Sequence, residues 1–310
     1  MSQHEQFRRT AIARGIPEDE VSTFAEFLRF AIWTSGLPAG EPVGQLGGLP
    51  RLPVGMEWPA GPLPFVASFD CAALPQADGL ALPADGSLLF FLHHENAYDA
   101  GLGGSSVAEE QNYARVVYVP AGVDTAPAEK PDNTENMFYD STREFVQPER
   151  ELFATVAAEL PSWFDDEDED LDGNPRSRDQ EHLALHLPHL VELCALTEEL
   201  WPQGNGATVY LGGYSMDVGG TRTGYLYVTP ETDMADRVLK ARKKAGETVP
   251  TSWRERYVRT EKEALKVMRE WVPLAQFVPD DVYRGRFLIR HDDLAAGRLD
   301  KALSITGFTE

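Results

Sequence analysis

Cysteine is nearly absent: Cys71 and Cys194 are the only two in 310 residues. They stand in neither a CxxC nor a Cys/His spacing, which excludes a disulfide framework and a thiolate zinc module. No run of about 18 apolar residues occurs, so nothing reads as a membrane-spanning helix. Positive charge is scarce too, with 28 Lys and Arg against 50 Asp and Glu and a formal net charge of −22. A surface of that sign repels phosphate backbones and anionic headgroups. Nucleic acid and membrane are therefore excluded as partners, and a basic protein is favoured. The GxSxG elbow, the P-loop and a GxGxxG between strand and helix are all missing, so no nucleophile or nucleotide motif argues for an enzyme. The opening residues, MSQHEQFRRTAIARG, carry no apolar signal-peptide core, and the expected location is cytoplasmic.

What the chain does contain reads as short strands with helices around them. Pro17, the acids 18–20 and apolar residues at helical spacing predict a helix over 18–35. Runs of β-formers bounded by turn residues predict strands at 65–69, 87–93, 114–119, 207–211 and 224–228. Residues 120–150 read as long loops, 151–163 as a short helix, and 181–187 and 191–200 as helices broken at Pro188. Residues 232–271 are strongly helical, and the end of the chain returns to short strands with a turn or short helix near 292–303. Charge is uneven along this order. Residues 237–270 hold eleven Lys and Arg against five Asp and Glu, a balance of +6, which leaves −28 on the rest.

Three strings recur in the same order. Leu46-Gly47-Gly48 returns as Leu211-Gly212-Gly213, the strand 63–69 as 272–277, and the strand from Gly86 as the one from Gly285. The interval between the first two strings is 44 residues longer in the second half, about the length of the helical segment. The expected fold class is therefore α+β: a mainly antiparallel β-sheet built from two pseudo-repeated units, with peripheral helices and a helical insertion in the second unit. The expected organisation is an N-terminal helical segment, 1–40, packed on a single domain, 41–310. Within it lie β repeats at about 41–125 and 205–310, an acidic linker at about 160–180 and the insertion at about 232–271.

The strings LGGLPRLPVGMEWP (46–59), LPFVASFD (63–70), LPADGSLLFF (82–91), LGGY (211–214), WVPLAQFVPDD (271–281) and GRFLIRHDDLAAGRLDKA (285–302) resemble the bacterial YwqG-like family, a domain of unknown function. The resemblance implies a mixed, mainly antiparallel β fold with peripheral helices and brings no reaction with it. It also leans toward an immunity- or adaptor-like role. Where the family has Gln before an apolar-acidic pair, this chain has Ser68 in the first half and keeps Gln276 in the second.

Candidate sites follow from residue chemistry. Asp168, Asp170, Asp172 and Asp179, with Gly173 between them, have the oxygen spacing of a calcium loop, which makes calcium the one cofactor to consider. Against it stand the short Asp179 at the last position and Arg176 beside the ion. His182, His186 and His189 share a helical spacing but read as a packing or surface face. Trp58, Ser68, His93, His94 and Gln276 are the candidate ligand-binding residues, expected to line a pocket between the two β units. Cys71, beside Asp70, reads as core. The leading expectation is a non-catalytic acidic module that binds a basic protein partner. A small-molecule binder or hydrolase-type enzyme with that inter-unit pocket is the alternative, and a calcium-dependent binder through the Asp-rich loop is the third.

Overall fold

The computed structural model describes residues 1–61, 63–102, 107–132, 134–135, 137–161, 186–202, 204, 206–215, 230–247, 252–278 and 283–308. In chain order the elements are α1 (Gln3–Ala13), α2 (Glu18–Ala25), β1 (Arg29–Ser35), β2 (Gly44–Leu46), β3 (Arg51–Pro53), β4 (Phe65–Asp70), β5 (Ser87–Leu92), α3 (His94–Leu102), α4 (Val107–Glu110), β6 (Ala114–Val119), β7 (Thr125–Pro127) and β8 (Arg150–Glu159). Then come α5 (Leu190–Leu200), β9 (Val209–Gly212), α6 (Pro230–Lys244), α7 (Trp253–Glu270), β10 (Trp271–Phe277), β11 (Tyr283–Arg290), α8 (His291–Ala295) and β12 (Leu303–Phe308). The α+β class holds, with β3 and β7 forming a separate two-stranded ribbon and the other ten strands one antiparallel sheet.

The strand order is β12-β11-β10-β9-β1-β8-β2-β4-β5-β6. Its two halves are copies: β2-β4-β5-β6 in the first unit matches β9-β10-β11-β12 in the second. The register proves the equivalence. Phe69 faces Gly44 and Leu88, and Phe277 faces Val209 and Gly285. Both β4 and β10 carry a bulge at the same place, between Phe65 and Ala67 and between Pro273 and Ala275. Phe90 therefore corresponds to Phe287, and Gly285 corresponds to Leu88. The sequence match of Gly86 with Gly285 is two residues out of register.

Two helical expectations fail at the centre of the sheet. Residues 29–35 form β1 and residues 150–159 form β8, in place of the helices expected over 18–35 and 151–163. Helix α2 stops at Ala25. These two strands pair with each other over seven residues, from Arg29 opposite Glu159 to Ser35 opposite Phe153. Phe30, Ala31 and Ile32 are buried in succession, as are Leu152 and Phe153, and a run covered on both faces has no period-2 signature. The segment expected as an N-terminal helical appendage thus contributes a central strand. The helical insertion is confirmed as the hairpin α6–α7. The expected strand at 224–228 and most of the helix at 181–187 lie outside the described residues.

One face of the sheet is concave. Phe90 of β5 touches Phe277 of β10 at 5.6 Å and Phe287 of β11 at 5.3 Å between ring centroids. β5 and β10 are six strands apart in the order, about 29 Å on a flat sheet at ~4.8 Å per strand. Contact therefore requires the sheet to roll until its two units face each other. Phe69, Leu88, Ala275 and Ile289 complete that core, and Phe7, Phe24, Leu193 and Leu196 of α1, α2 and α5 join it over the central strands. On the convex face, the β3 ribbon region packs Leu52, Leu63 and Trp58 on Phe91 and Leu89. The hairpin does the same for the second unit, with Met234 and Val267 on Leu288 and Ile305.

The edge strand β12 is closed by side chains. Gln111 accepts from the Ser304 N–H at 2.7 Å and donates to its carbonyl at 3.0 Å, while Glu110 accepts from the Thr306 N–H at 2.8 Å. An edge so occupied offers no template for another strand.

Because Phe90 joins both units, Phe90→Ala is expected to cost about 3–5 kcal/mol in urea unfolding, the penalty of a large buried ring removed from a core that cannot collapse onto the gap. A loss under about 1 kcal/mol would mean the units are not packed through it.

Candidate functional site

The two Leu-Gly-Gly strings are turns that end β2 and β9. Their glycines have φ of 69° and 71° at Gly47 and Gly48, and 78° and 73° at Gly212 and Gly213, the left-handed region where a side chain is strained. Space demands glycine as well. A Cβ on Gly48 would lie 2.6 Å from Glu149 Oε2, and one on Gly213 would collide with Glu159 Oε2. Glu149 directly precedes β8 and Glu159 ends it, so a single strand lays a carboxylate on the second glycine of each turn.

The two carboxylates meet different surroundings. Glu159 accepts from Trp33 Nε1–H at 2.6 Å and from the Tyr214 N–H at 2.7 Å. Burial pushes its acid up to about 7, with those two hydrogen bonds and the Arg29 charge pulling the other way. Arg29 lies over the Tyr214 ring at 4.4 Å and donates to the Met268 carbonyl at 2.6 Å, in the last turn of α7 where a cation is favoured. The Tyr214 hydroxyl donates to the Phe27 carbonyl at 2.8 Å and is pushed up to about 12, burial being the main cause. Glu149 is exposed and borders an open groove of about 540 Å³ with Gln45, Leu49, Arg51, Glu144 and Val146 on its walls.

Alternation and register place one convex-face row across the second unit: Trp33, Tyr210, Gln276 and Arg286. The matching row in the first unit is Glu151, Gln45, Ser68 and Leu89. Trp33 and Tyr210 are partly exposed and meet edge to face at 5.2 Å, while Gln276 and Arg286 are buried at 1% exposure each.

The candidate ligand residues are not brought into one pocket. Trp58 spends its Nε1–H on the Leu63 carbonyl at 2.8 Å, and its ring on Phe91 and Phe145. Ser68 and Gln276 lie on the convex faces of different units, and the space between the units is filled by Phe69, Phe90, Phe277 and Phe287. The Gln absent at position 68 is compensated. Gln276 Nε2 donates to the Tyr214 carbonyl at 2.9 Å, and in the first unit Gln45 Nε2 reaches the equivalent Leu49 carbonyl at 3.2 Å and the Gly47 carbonyl at 2.9 Å. These amides hold the turns.

His93 and His94 diverge as adjacent residues should. His93 Nε2 lies 3.1 Å from the Met137 carbonyl, with its ring 5.1 Å from Phe138. His94 packs on Gly285 of β11, and its Nε2 has no hydrogen-bond partner among the described residues. Burial pushes His94 down to about 3, and His93 is lowered by the same cause, so both are held neutral. Cys71 is core, its thiol pushed up to about 11 by burial and then by Asp70 and Asp85. Asp168, Asp170, Asp172 and Asp179 lie outside the described residues, and among the described residues no cluster of His, Cys, Asp or Glu could hold a metal. Sequence reasoning missed Arg29, Trp33 and Glu159 because both strands that carry them read as helix. A Glu at each end of 149–159, facing two Gly-Gly turns, was the available signal.

Glu159 makes stability depend on pH. A carboxyl whose pKa is raised by folding keeps its proton in the native state at pH values where the unfolded chain has released it. Its contribution is whole below the ordinary value of 4.5 and lost as pH climbs to about 7. Relative to Glu159→Gln, the protein is expected to lose on the order of 3 kcal/mol between those limits in urea titrations. A constant difference across that range would contradict the raised value.

Residues 44–306 match the family described as a domain of unknown function, DUF1963. No curated protein matches the chain. The match takes in both Gly-Gly turns, all of β8 and the helical hairpin, and the chain belongs to the DUF1963 family.

Proposed function

We propose that this protein is a bacterial, cytoplasmic, YwqG-like interaction module, non-catalytic and immunity- or adaptor-like, which captures a basic protein partner on its acidic body. One observation carries the reading. Lys240 pairs with Asp236, Arg242 and Lys266 with Glu263, and Arg259 with Glu247, so each of these four cations of the hairpin holds an acid of the hairpin itself. Among the described residues the basic segment thus spends these cations on its own acids, and exposed acids of the body such as Glu144, Glu149 and Glu192 are left facing solvent. Complementary charge speeds capture and suppresses wrong partners, and it weakens with salt. The groove beside Gly48 offers Glu144 and Glu149 against the cation Arg51, with Leu49, Pro127 and Val146 for the aliphatic stem of a Lys or Arg side chain.

A second reading, a small-molecule binder or hydrolase-type enzyme, is favoured by the acidity of Glu159 beside the partly exposed Trp33 and Tyr210. Its place would be the convex row of the second unit.

The test is capture from lysate on the immobilised chain, then titration of the purified partner at about 50 mM and about 500 mM salt. The expected result is a partner of net positive charge whose affinity falls at least tenfold between the two and falls again with Glu144→Lys/Glu149→Lys. Failure to retain any basic protein at low salt, or affinity indifferent to salt, would overturn the reading.

A further inference from the structure

Helix α7 presents a stripe that its own chain does not use. Arg254, Val258, Lys262, Leu265 and Arg269 succeed one another at intervals of three or four residues, and all five are exposed. Val258 and Leu265 are 56% and 51% exposed. None of the three cations forms an ion pair among the described residues. The opposite side of the helix, Ala264 and Val267, is buried on the sheet.

Helix α5 presents the complement. Its sequence, LVELCALTEEL, has no basic residue, and its exposed residues are Val191, Glu192, Ala195, Glu198 and Glu199. Val191 is 79% exposed. Arg14 already holds Glu199, which leaves Glu192 and Glu198 for a partner. Eleven residues of helix span about 16 Å and eighteen about 27 Å, so the acidic stripe fits along the basic one. The two cannot meet within a chain. α5 packs with Phe30 and Ile32 on the concave face, while α7 packs with Leu288 and Ile305 on the convex face.

We propose that copies of this chain associate head to tail, the α7 stripe of one seating on the α5 stripe of the next. The surfaces are non-equivalent and lie on opposite faces, so the contact leaves a free end of each kind and extends rather than closing as a two-fold dimer. Net charge shapes the salt dependence. At about 10 mM salt, screening reaches about 30 Å and two bodies of −22 repel; near 150 mM it reaches about 8 Å and only the local complementarity is felt; near 1 M that too is screened. Association passes through a maximum at intermediate salt.

This inference stands apart from the proposed capture of a basic partner, since it is read on the purified chain alone. Sedimentation velocity over a concentration series at the three salts should show a weight-average mass above one chain, largest near 150 mM. Lys262→Glu/Arg269→Glu and Glu192→Lys/Glu198→Lys, all exposed positions, should each be monomeric with unchanged circular dichroism. Mixed together, these two charge-reversed variants again set opposite charges against each other at both kinds of contact, intact α7 on intact α5 and reversed α7 on reversed α5, so association should return. A monomer at every salt, oligomers unaffected by either variant, or a mixture of the two variants that stays monomeric would overturn the proposal. So would a chain that stays monomeric and binds phosphatidylserine vesicles through Lys262 and Arg269.

Discussion

The antiparallel pairing of β1 with β8 is the contact that the rest of this structure depends on. Each is the first strand of its unit, and each has crossed over: β1 lies against β9 of the second unit, and β8 lies against β2 of the first. Neither unit can satisfy both edges of its own Leu-Gly-Gly strand, because the strand on its second edge belongs to the other half. The exchange also explains why both glutamates that shape the Gly-Gly turns come from one strand. β8 passes between the units, so its two ends reach both turns, and glycine at positions 48 and 213 leaves room for the carboxylates.

Duplication gave two equal frames, and the differences between them show where each unit has been adapted. Between its Leu-Gly-Gly turn and its next strand the first unit has a short excursion with β3, and the second has the hairpin α6–α7. Both cover the convex face of the middle strands, which is why that face of β5 and β11 is buried in each. What they cover differs. The first unit sets Leu89 and Phe91 against Leu52 and Leu63, an apolar contact. The second encloses Gln276 and Arg286, and buried polar and charged groups are costly unless the surrounding network is well formed. The second unit has the more demanding convex face, and it is also the one with the half-buried acid Glu159.

Strands with one defined face and clear turn punctuation were legible. β4, β5 and β6 fall within a residue of where their β-formers and flanking Gly, Pro and Asp place them. β1 and β8 were not, because consecutive buried residues such as Phe30, Ala31 and Ile32 fit either period, and the helical pattern of α2 runs without a break into β1. That error carried into the site, since Arg29, Trp33 and Glu159 lay on supposed helices, where their approach to Gly213 and Tyr214 had no expression. The substitution of Ser68 for Gln was visible in the sequence, but its meaning was not. The compensating amide, Gln45, sits on a neighbouring strand, and only the register shows that it reaches the carbonyl equivalent to that of Tyr214.

The same crossover bears on where the domain begins. The family match starts at Gly44, the first residue of β2, and leaves α1, α2 and β1 outside it. In the sheet, however, β1 separates β9 from β8, and β9-β10-β11-β12 has no other described link to the remaining strands. Residues 29–35 are therefore part of the structural domain. Its concave core needs the residues before them as well, because Phe7 and Phe24 pack there with Phe30. A strand whose partners lie more than 100 residues away along the chain must be fixed by tertiary pairing, and its sequence needs only to be apolar and able to extend. That tolerance is the physical reason why β1 carries so little signal of its own while the sheet cannot be continuous without it.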